Sequence, residues 1–223
     1  MKVLDLTQPL DERTVLWPGS DPFTATGPDG YDATGFWSRQ LGTPEHAGTH
    51  LDAPRHCVPG GAAVADIPAE QLVRPAVRID ARDACGGDPH WVLSAAGVEA
   101  WEAEHGRVPE GAAVLLCTGW DAHRADARRY LGEPLAFPGF GGDAAALLVE
   151  RGAAGLGIDT LGVDAGASAD FPVHRIALRA GLWHLEGLVG LADVPPTGAT
   201  LVVGALRLPN ASGTPARVLA LLP

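Results

Sequence analysis

The chain has 223 residues, 46% of them hydrophobic, and a formal net charge of −11 from 16 Lys+Arg against 27 Asp+Glu. That length allows one large domain or two small ones around a sizeable core, and one domain spanning 1–223 is the favoured reading. The acidic balance argues against nucleic acid, no segment reaches 18 apolar residues as a membrane span requires, and Met1-Lys2-Val3-Leu4-Asp5 reads as neither signal nor transit sequence. A cytoplasmic protein that acts on a small molecule is expected. Cys57, Cys85 and Cys117 form neither an even disulfide framework nor a Cys-x-x-Cys pair, and are expected to be reduced.

Val3-Leu4-Asp5-Leu6 reads as a first strand, followed by a breaker-rich loop from Pro9 to Pro22 that holds Trp17-Pro18-Gly19. A tryptophan in such a turn is either displayed towards a pocket or laid over the edge of the core. Gly27 to Gly35 is a polar loop, and Phe36 to Leu41 reads as a strand. A short helix is predicted over Ile67 to Val73 with Asp66 as N-cap, then a buried strand over Ala76 to Asp80. Ser94 caps a helix from Ala95 to His105 that Gly106 ends. Ala113 to Thr118 is a near-continuous apolar run, as in an inner strand covered on both faces. Asp121 to Tyr130 reads as a polar helix or turn, and Pro134 to Gly142 as a loop. Asp143 is expected to cap a helix through Arg151, with the strand Ala154 to Asp159 after it. A helix opening at Phe171-Pro172-Val173-His174-Arg175, the strand Leu182 to Glu186, and two closing strands, Thr200 to Leu208 and Ala216 to Leu222, complete an α/β pattern.

The chemistry concentrates in Glu45-His46-Ala47-Gly48-Thr49-His50-Leu51-Asp52-Ala53-Pro54-Arg55-His56. On a helix Asp52 would lie about 240° around the axis from His46, so a helix cannot present all the donors together. On a straight strand rising about 3.3 Å per residue, His50 and Asp52 are neighbours but His46 lies roughly 13 Å from His50. Imidazole nitrogens approach zinc to about 2.0–2.1 Å, so the chain must bend, and Gly48 is the residue best able to bend it. The run then offers His46, His50 and Asp52 to one metal, with His56 further along as base or acid. The plainer alternative is a histidine-rich surface loop. Cys57 beside the cluster is better read as a small packed residue than as a nucleophile.

The run resembles the His-x-Gly-Thr-His-x-Asp-x-Pro-x-His signature of the cyclase-like metal-dependent hydrolases, which include bacterial kynurenine formamidases and isatin hydrolases. The similarity extends from Asp5-Leu6-Thr7 through Trp17-Pro18-Gly19, Gly157-Ile158-Asp159-Thr160 and Phe171-Pro172-Val173-His174-Arg175 to the terminal strands. It implies an α/β fold with a mixed central sheet and flanking helices, of the swivelling β/β/α type. It also implies that His174 and Glu186 complete a metal site with His46, His50 and Asp52. A short helix and a returning strand can bring residues twelve apart together. His184 does not match the pattern and is assigned to packing. Asp159 and Asp164 stand as candidates to orient histidines. Trp17 is the implied contact for an aromatic substrate, and Thr49 either hydrogen-bonds the substrate carbonyl or packs.

Histidine and carboxylate donors without cysteine suit Zn²⁺, as one or two ions, or Mn²⁺. The expected reaction is hydrolysis of the C–N amide bond of a small arylformamide by metal-activated water, with His56 as general acid/base. A cyclic amide of the isatin type is the alternative substrate. A non-catalytic metal or small-ligand binder is a second class, and ring closure or dehydration a third. By analogy with the family, a homodimer or larger homo-oligomer is expected.

Overall fold

Ala113 to Cys117 is apolar and buried at every position, which only a strand covered on both faces permits. The computed structural model describes residues 1–223 and arranges the rest of the chain around that strand. In chain order the elements are β1 (Lys2–Asp5), β2 (Thr24–Thr26), β3 (Gln40–Gly42), β4 (His50–Asp52), β5 (Val73–Asp80), α1 (Arg82–Cys85), β6 (Val92–Leu93), α2 (Ala95–His105) and β7 (Ala113–Cys117). After these come α3 (Ala127–Leu131), β8 (Gly139–Phe140), α4 (Gly142–Glu150), β9 (Gly155–Ile158), α5 (Pro172–Arg179), β10 (Trp183–Glu186), β11 (Ala199–Ala205) and β12 (Gly213–Leu222).

Eight strands form one mixed sheet in the order β1-β12-β11-β5-β7-β9-β10-β4, and a further pairing of β12 with β4 closes it into a barrel. Strands β5, β7, β9 and β10 run parallel, while β4, β11 and β12 pair antiparallel with their neighbours. The fold class expected from the sequence, a mixed sheet flanked by helices, is therefore observed, with the sheet curled shut.

Strand alternation sorts the core into two layers. Ala113, Leu115 and Cys117 join Leu51, Leu185, Leu201 and Val218 inside the barrel. Val114 and Leu116 face the other way and pack with Val98, Leu148, Val173 and Ala177 of the helices. Burying one such leucine contributes about 1.5–3 kcal/mol. On β4 and β10 the same alternation sends Leu51 and Leu185 inward, so His50, Asp52, His184 and Glu186 stand on the outer face. No helix is long and apolar enough to cross a membrane.

Several boundaries differ from the sequence reading for identifiable reasons. The strand expected over Phe36 to Leu41 shrinks to β3, which pairs only with β2; Phe36 and Trp37 are exposed, with no core face to hold them extended. The helix expected over Ile67 to Val73 is a single 3₁₀ turn, Ala69–Leu72, because β5 begins at Val73. Asp66 accepts from Ala63 N instead of capping that segment. The stretch from Asp121 to Tyr130 divides into a 3₁₀ turn, Trp120–His123, and α3 with Asp126 at its cap. Gly141 caps α4, and the Asp143 carboxylate reaches Ala95 N at the start of α2. β12 starts at Gly213, three residues before the expected Ala216, and those residues make the pairing with β4 that closes the barrel.

Helices α2 and α4 are tied by Glu102, whose carboxylate accepts from Arg151 Nε and Nη2 at 2.9 and 3.0 Å. Those bonds hold the Glu102 carboxyl below its ordinary value. A depressed folded pKa stabilises the protein above the unfolded value and loses that contribution as pH falls through the folded one. Glu102→Gln is therefore expected to lower Tm at pH 7 and to converge with the unmodified protein as pH drops well below 4.5. A Tm gap unchanged between pH 7 and pH 3, followed by circular dichroism, would refute this account.

Candidate metal centre

The register of β4 explains how distant residues meet. His50 lies opposite Glu186 and Asp52 opposite His184 on β10, while Pro215 and Gly213 lie opposite the same two residues on β12. Glycine at 213 matters because a Cβ there would collide with the His46 ring. Gly48 adopts a left-handed conformation, φ 61°, and turns the chain so that the His46 and His50 ring centroids are 5.3 Å apart. The bend inferred from ligand distances is present at the residue expected to make it.

Hydrogen bonds set the direction of each imidazole. His50 Nδ1 donates to Gly48 O at 3.0 Å, which turns Nε2 to the carboxylates, 3.3 Å from both Asp52 Oδ1 and Glu186 Oε2. His174 Nδ1 donates to Asp164 Oδ2 at 2.7 Å, and its Nε2 stands 3.5 Å from Asp52 Oδ2 and 3.4 Å from Glu186 Oε1. Asp164 also accepts from Val173 N and His174 N, so one carboxylate both caps α5 and aims its histidine. An imidazole held through its outer nitrogen by a carbonyl or carboxylate, inner nitrogen free, is the arrangement found around bound metals. Donors at tetrahedral positions about 2.0–2.1 Å from an ion are separated by about 3.4 Å, which is the spacing seen here.

His46 behaves differently. Its Nδ1 is 2.6 Å from Asp52 Oδ1, a hydrogen bond, and its Nε2 is 3.0 Å from Ser212 Oγ. Ser212 in turn donates to Glu45 Oε2 at 2.6 Å. To serve as a ligand, His46 exchanges the proton it shares with Asp52 for the ion.

The charges point the same way. Burial opposes protonation of His50, yet the adjacent Asp52 and Glu186 carboxylates outweigh it and push its pKa up to about 10. Burial also opposes the charge on Asp52, but His50, His174 and His46 hold its carboxyl well below the usual range. Two buried carboxylates thus draw positive charge into the cluster, a demand that protons or a cation can meet. His50 Nε2 and Asp52 Oδ2 have no hydrogen-bond partner although both are buried. The donor set fits a divalent ion.

Over the cluster opens a cavity of about 430 Å³. Its floor is His46, His50, His174 and Glu186; its apolar wall is Trp17, Leu161 and Phe171; Ser20, His56, Cys57, Gly162, Asp164 and Arg175 line the remainder. Trp17 packs against Phe171 and Phe137 with centroids 6.0 and 6.5 Å away. Phe171 has φ 48°, a strained conformation of the kind found at binding sites. His56 closes a 3₁₀ turn, Pro54–His56, and its ring lies 4.0 Å from that of His46 and 5.6 Å from that of His174. Burial, helped by the neighbouring His46 and His174, lowers its pKa below the ordinary imidazole value. Burial raises the Cys57 pKa, so its sulfur stays a thiol.

Of the residues singled out in the sequence, His46, His50, Asp52, His56, His174 and Glu186 come together and Trp17 faces them. Thr49 does not: it is buried, its hydroxyl donates to Gly187 O at 2.6 Å and accepts from Gln8 N, which leaves it no substrate contact. Its role is to fix the strand. Asp164 orients His174, whereas Asp159 accepts from Thr118 N, Thr118 Oγ1 and Gly119 N and ties the ends of β7 and β9. Burial outweighs those bonds and raises the Asp159 pKa to about 6. His184, assigned to packing in the sequence, is buried beside the cluster: its Nδ1 is 3.9 Å from Asp52 Oδ2 and neither ring nitrogen has a hydrogen-bond partner. The signal was the two-residue offset from Glu186, which on a strand means the same face. Phe171 and Arg175 flank His174 and were passed over as helix-opening residues.

Residues 4–165 match the Cyclase family, and the chain belongs to it. It is 33% identical over 190 residues to the isatin hydrolase of Roseibium aggregatum, covering 80% of this chain and 72% of that one. It is 29% identical over 224 residues to the kynurenine formamidase of Salinibacter ruber, covering 97% and 96%. The solved isatin hydrolase A from Ralstonia solanacearum superposes with a TM-score of 0.92 at 35% identity, covering 100% of this chain and 92% of that one.

Because Asp164 aims His174, Asp164→Ala is expected to weaken Zn²⁺ binding about 10–100-fold while the protein stays folded. Calorimetric titration of the metal-stripped protein measures this, and wild-type affinity in the variant would remove Asp164 from the site.

Proposed function

We propose that the protein is a divalent-metal-dependent hydrolase that cleaves the amide C–N bond of a small aryl amide. One observation carries this reading: an aromatic wall of Trp17 and Phe171 faces a floor of buried imidazoles and carboxylates, with His56 between them. His46, His50, Asp52, His174 and Glu186 would hold the metal, and their nitrogen and oxygen donors suit Zn²⁺ or Mn²⁺. The bound ion supplies positive charge that acidifies water and polarises a carbonyl.

The protein's own groups account for the rest. Trp17, Phe171 and Leu161 hold the aryl ring and exclude water from one side of the cavity. His56, kept neutral by its surroundings, takes a proton from the attacking water as the new C–O bond forms. It returns that proton to the departing anilide nitrogen as the C–N bond breaks. The products are a carboxylate and an arylamine, with no covalent enzyme intermediate, and the protonated Cys57 thiol is consistent with that.

Two substrate geometries share this chemistry. An open arylformamide is the substrate that the kynurenine formamidase relative is named for, and a closed ring is the one named for the isatin hydrolases. The backbone fit to the isatin hydrolase supports the ring substrate beside the arylformamide. Arg175 at the cavity provides a cation for a carboxylate in either substrate or product. Tyr31 and Trp37 are exposed with ring centroids 6.2 Å apart, and Phe36 and Leu41 are exposed in the same stretch of chain; this apolar surface is the basis for proposing a homodimer or larger assembly. Three free cysteines are compatible with a reducing cytoplasm.

The metal-loaded protein is expected to hydrolyse N-formylkynurenine or isatin, to lose turnover on chelation, and to regain it with Zn²⁺ or Mn²⁺. His56→Ala is expected to lower kcat about 10²–10⁴-fold with metal content unchanged. Equal turnover by His56→Ala and the unmodified protein would overturn the proton-transfer role. Chelation without effect would overturn the metal dependence. Trp17→Ala is expected to raise KM more than it lowers kcat, as loss of an aryl contact present in ground and transition states alike requires.

A further inference from the structure

The side of the cluster away from His46 contains a histidine that the proposed reaction leaves unused. His184 sits on β10 two residues before Glu186, on the same outer face, directly opposite Asp52 in the strand register. It is fully buried and neither ring nitrogen has a hydrogen-bond partner. A packing histidine at such a depth ordinarily finds at least one acceptor or donor. The atom that His184 Nδ1 faces, Asp52 Oδ2, is equally buried and equally without a hydrogen-bond partner. The two are 3.9 Å apart, beyond hydrogen-bond reach. Two ligand bonds to one zinc ion span at most about 4.2 Å.

The carboxylates divide their oxygens accordingly. Asp52 Oδ1 and Glu186 Oε2 face His50. Asp52 Oδ2 and Glu186 Oε1 face His174. Donor atoms of Asp52, His174, His184 and Glu186 all lie within 4.8 Å of one another, and all four residues are buried. On this evidence we propose that His184 is a metal ligand, completing with Asp52 Oδ2, His174 Nε2 and Glu186 Oε1 a second donor set beside the one built on His46 and His50. Asp52 and Glu186 each turn one oxygen to either set. The packing requirement alone would be met by a leucine of similar size, whereas the orphaned nitrogens would not be explained.

This inference rests on the reading that the cluster holds divalent ions, and the test separates the two. The full chain is stripped with chelator, titrated with Zn²⁺ by calorimetry and with Co²⁺ by visible absorption, and its bound metal is counted by elemental analysis. The unmodified protein is expected to bind two ions, and His184→Leu and His184→Asn one each. The retained ion in each variant doubles as evidence that the barrel has folded, and the Co²⁺ spectrum should lose the component belonging to the second equivalent. Two ions at unchanged affinity in both variants, or one ion only in the unmodified protein, would overturn the assignment of His184 and leave metal dependence standing. No ion bound by the unmodified protein would overturn both.

Discussion

Asp52 is a carboxylate with no exposure to water, set among His46, His50, His174 and His184. A buried charge of that kind persists only if opposite charge and hydrogen bonds surround it. The local architecture around it provides that compensation. Gly48 turns the chain to bring His46 over it, Asp164 points His174 at it, and the register of β10 puts His184 across from it. His50, His46 and His174 are fixed from behind by a backbone carbonyl, a serine and a carboxylate respectively, so these donors are oriented before any cation arrives. Such preorganisation avoids reordering side chains on binding, which ordinarily subtracts from affinity.

The barrel makes that arrangement affordable in a small chain. Strand β4 has only three residues, too few to hold a register alone, but it is paired on both sides, to β10 and to β12. A one-residue slip would turn Leu51 out and His50 and Asp52 into the hydrocarbon interior. Leu51 is among the fully buried side chains of the barrel core, so the apolar layer enforces the register that the polar layer needs. Stability and chemistry are coupled here through alternation rather than through direct contact.

Much of this was legible in the sequence where the physics is local. The parity of His50 and Asp52, the bend at Gly48, the cap at Ser94 and the two-faced burial of β7 follow from geometry within a few residues. The convergence of His174 and Glu186 on the run came through the family resemblance, since no local rule sets a contact across more than a hundred positions. Strand parity with Glu186, two residues on, places His184 on the same face of β10, a relation that the family pattern does not mark. Of the two readings open for Thr49, substrate contact or packing, the structure favours packing. Thr49 adjoins the donors in sequence, but alternation turns its hydroxyl to Gly187 O. The aromatic pair Phe36 and Trp37 looked like strand residues and are exposed, because β propensity reflects a partner surface more than a backbone preference.

The end of the chain has a part in the site that residue chemistry alone does not announce. The first three residues of β12 close the barrel against β4, and the residue before them, Ser212, contacts both His46 and Glu45. Gly213 lacks the Cβ that would strike the His46 ring. The floor beneath the first histidine of the run is therefore built from residues more than 160 positions later. A substitution that adds bulk at 213 would act on His46 without altering any donor, moving the ring off Asp52 and loosening the compensation on which that buried carboxylate depends. The same closure explains why the closing strand is longer than its apolar pattern: Gly213, Thr214 and Pro215 extend it to complete the sheet and accommodate an imidazole, where the remaining seven residues pack by alternation like any other strand.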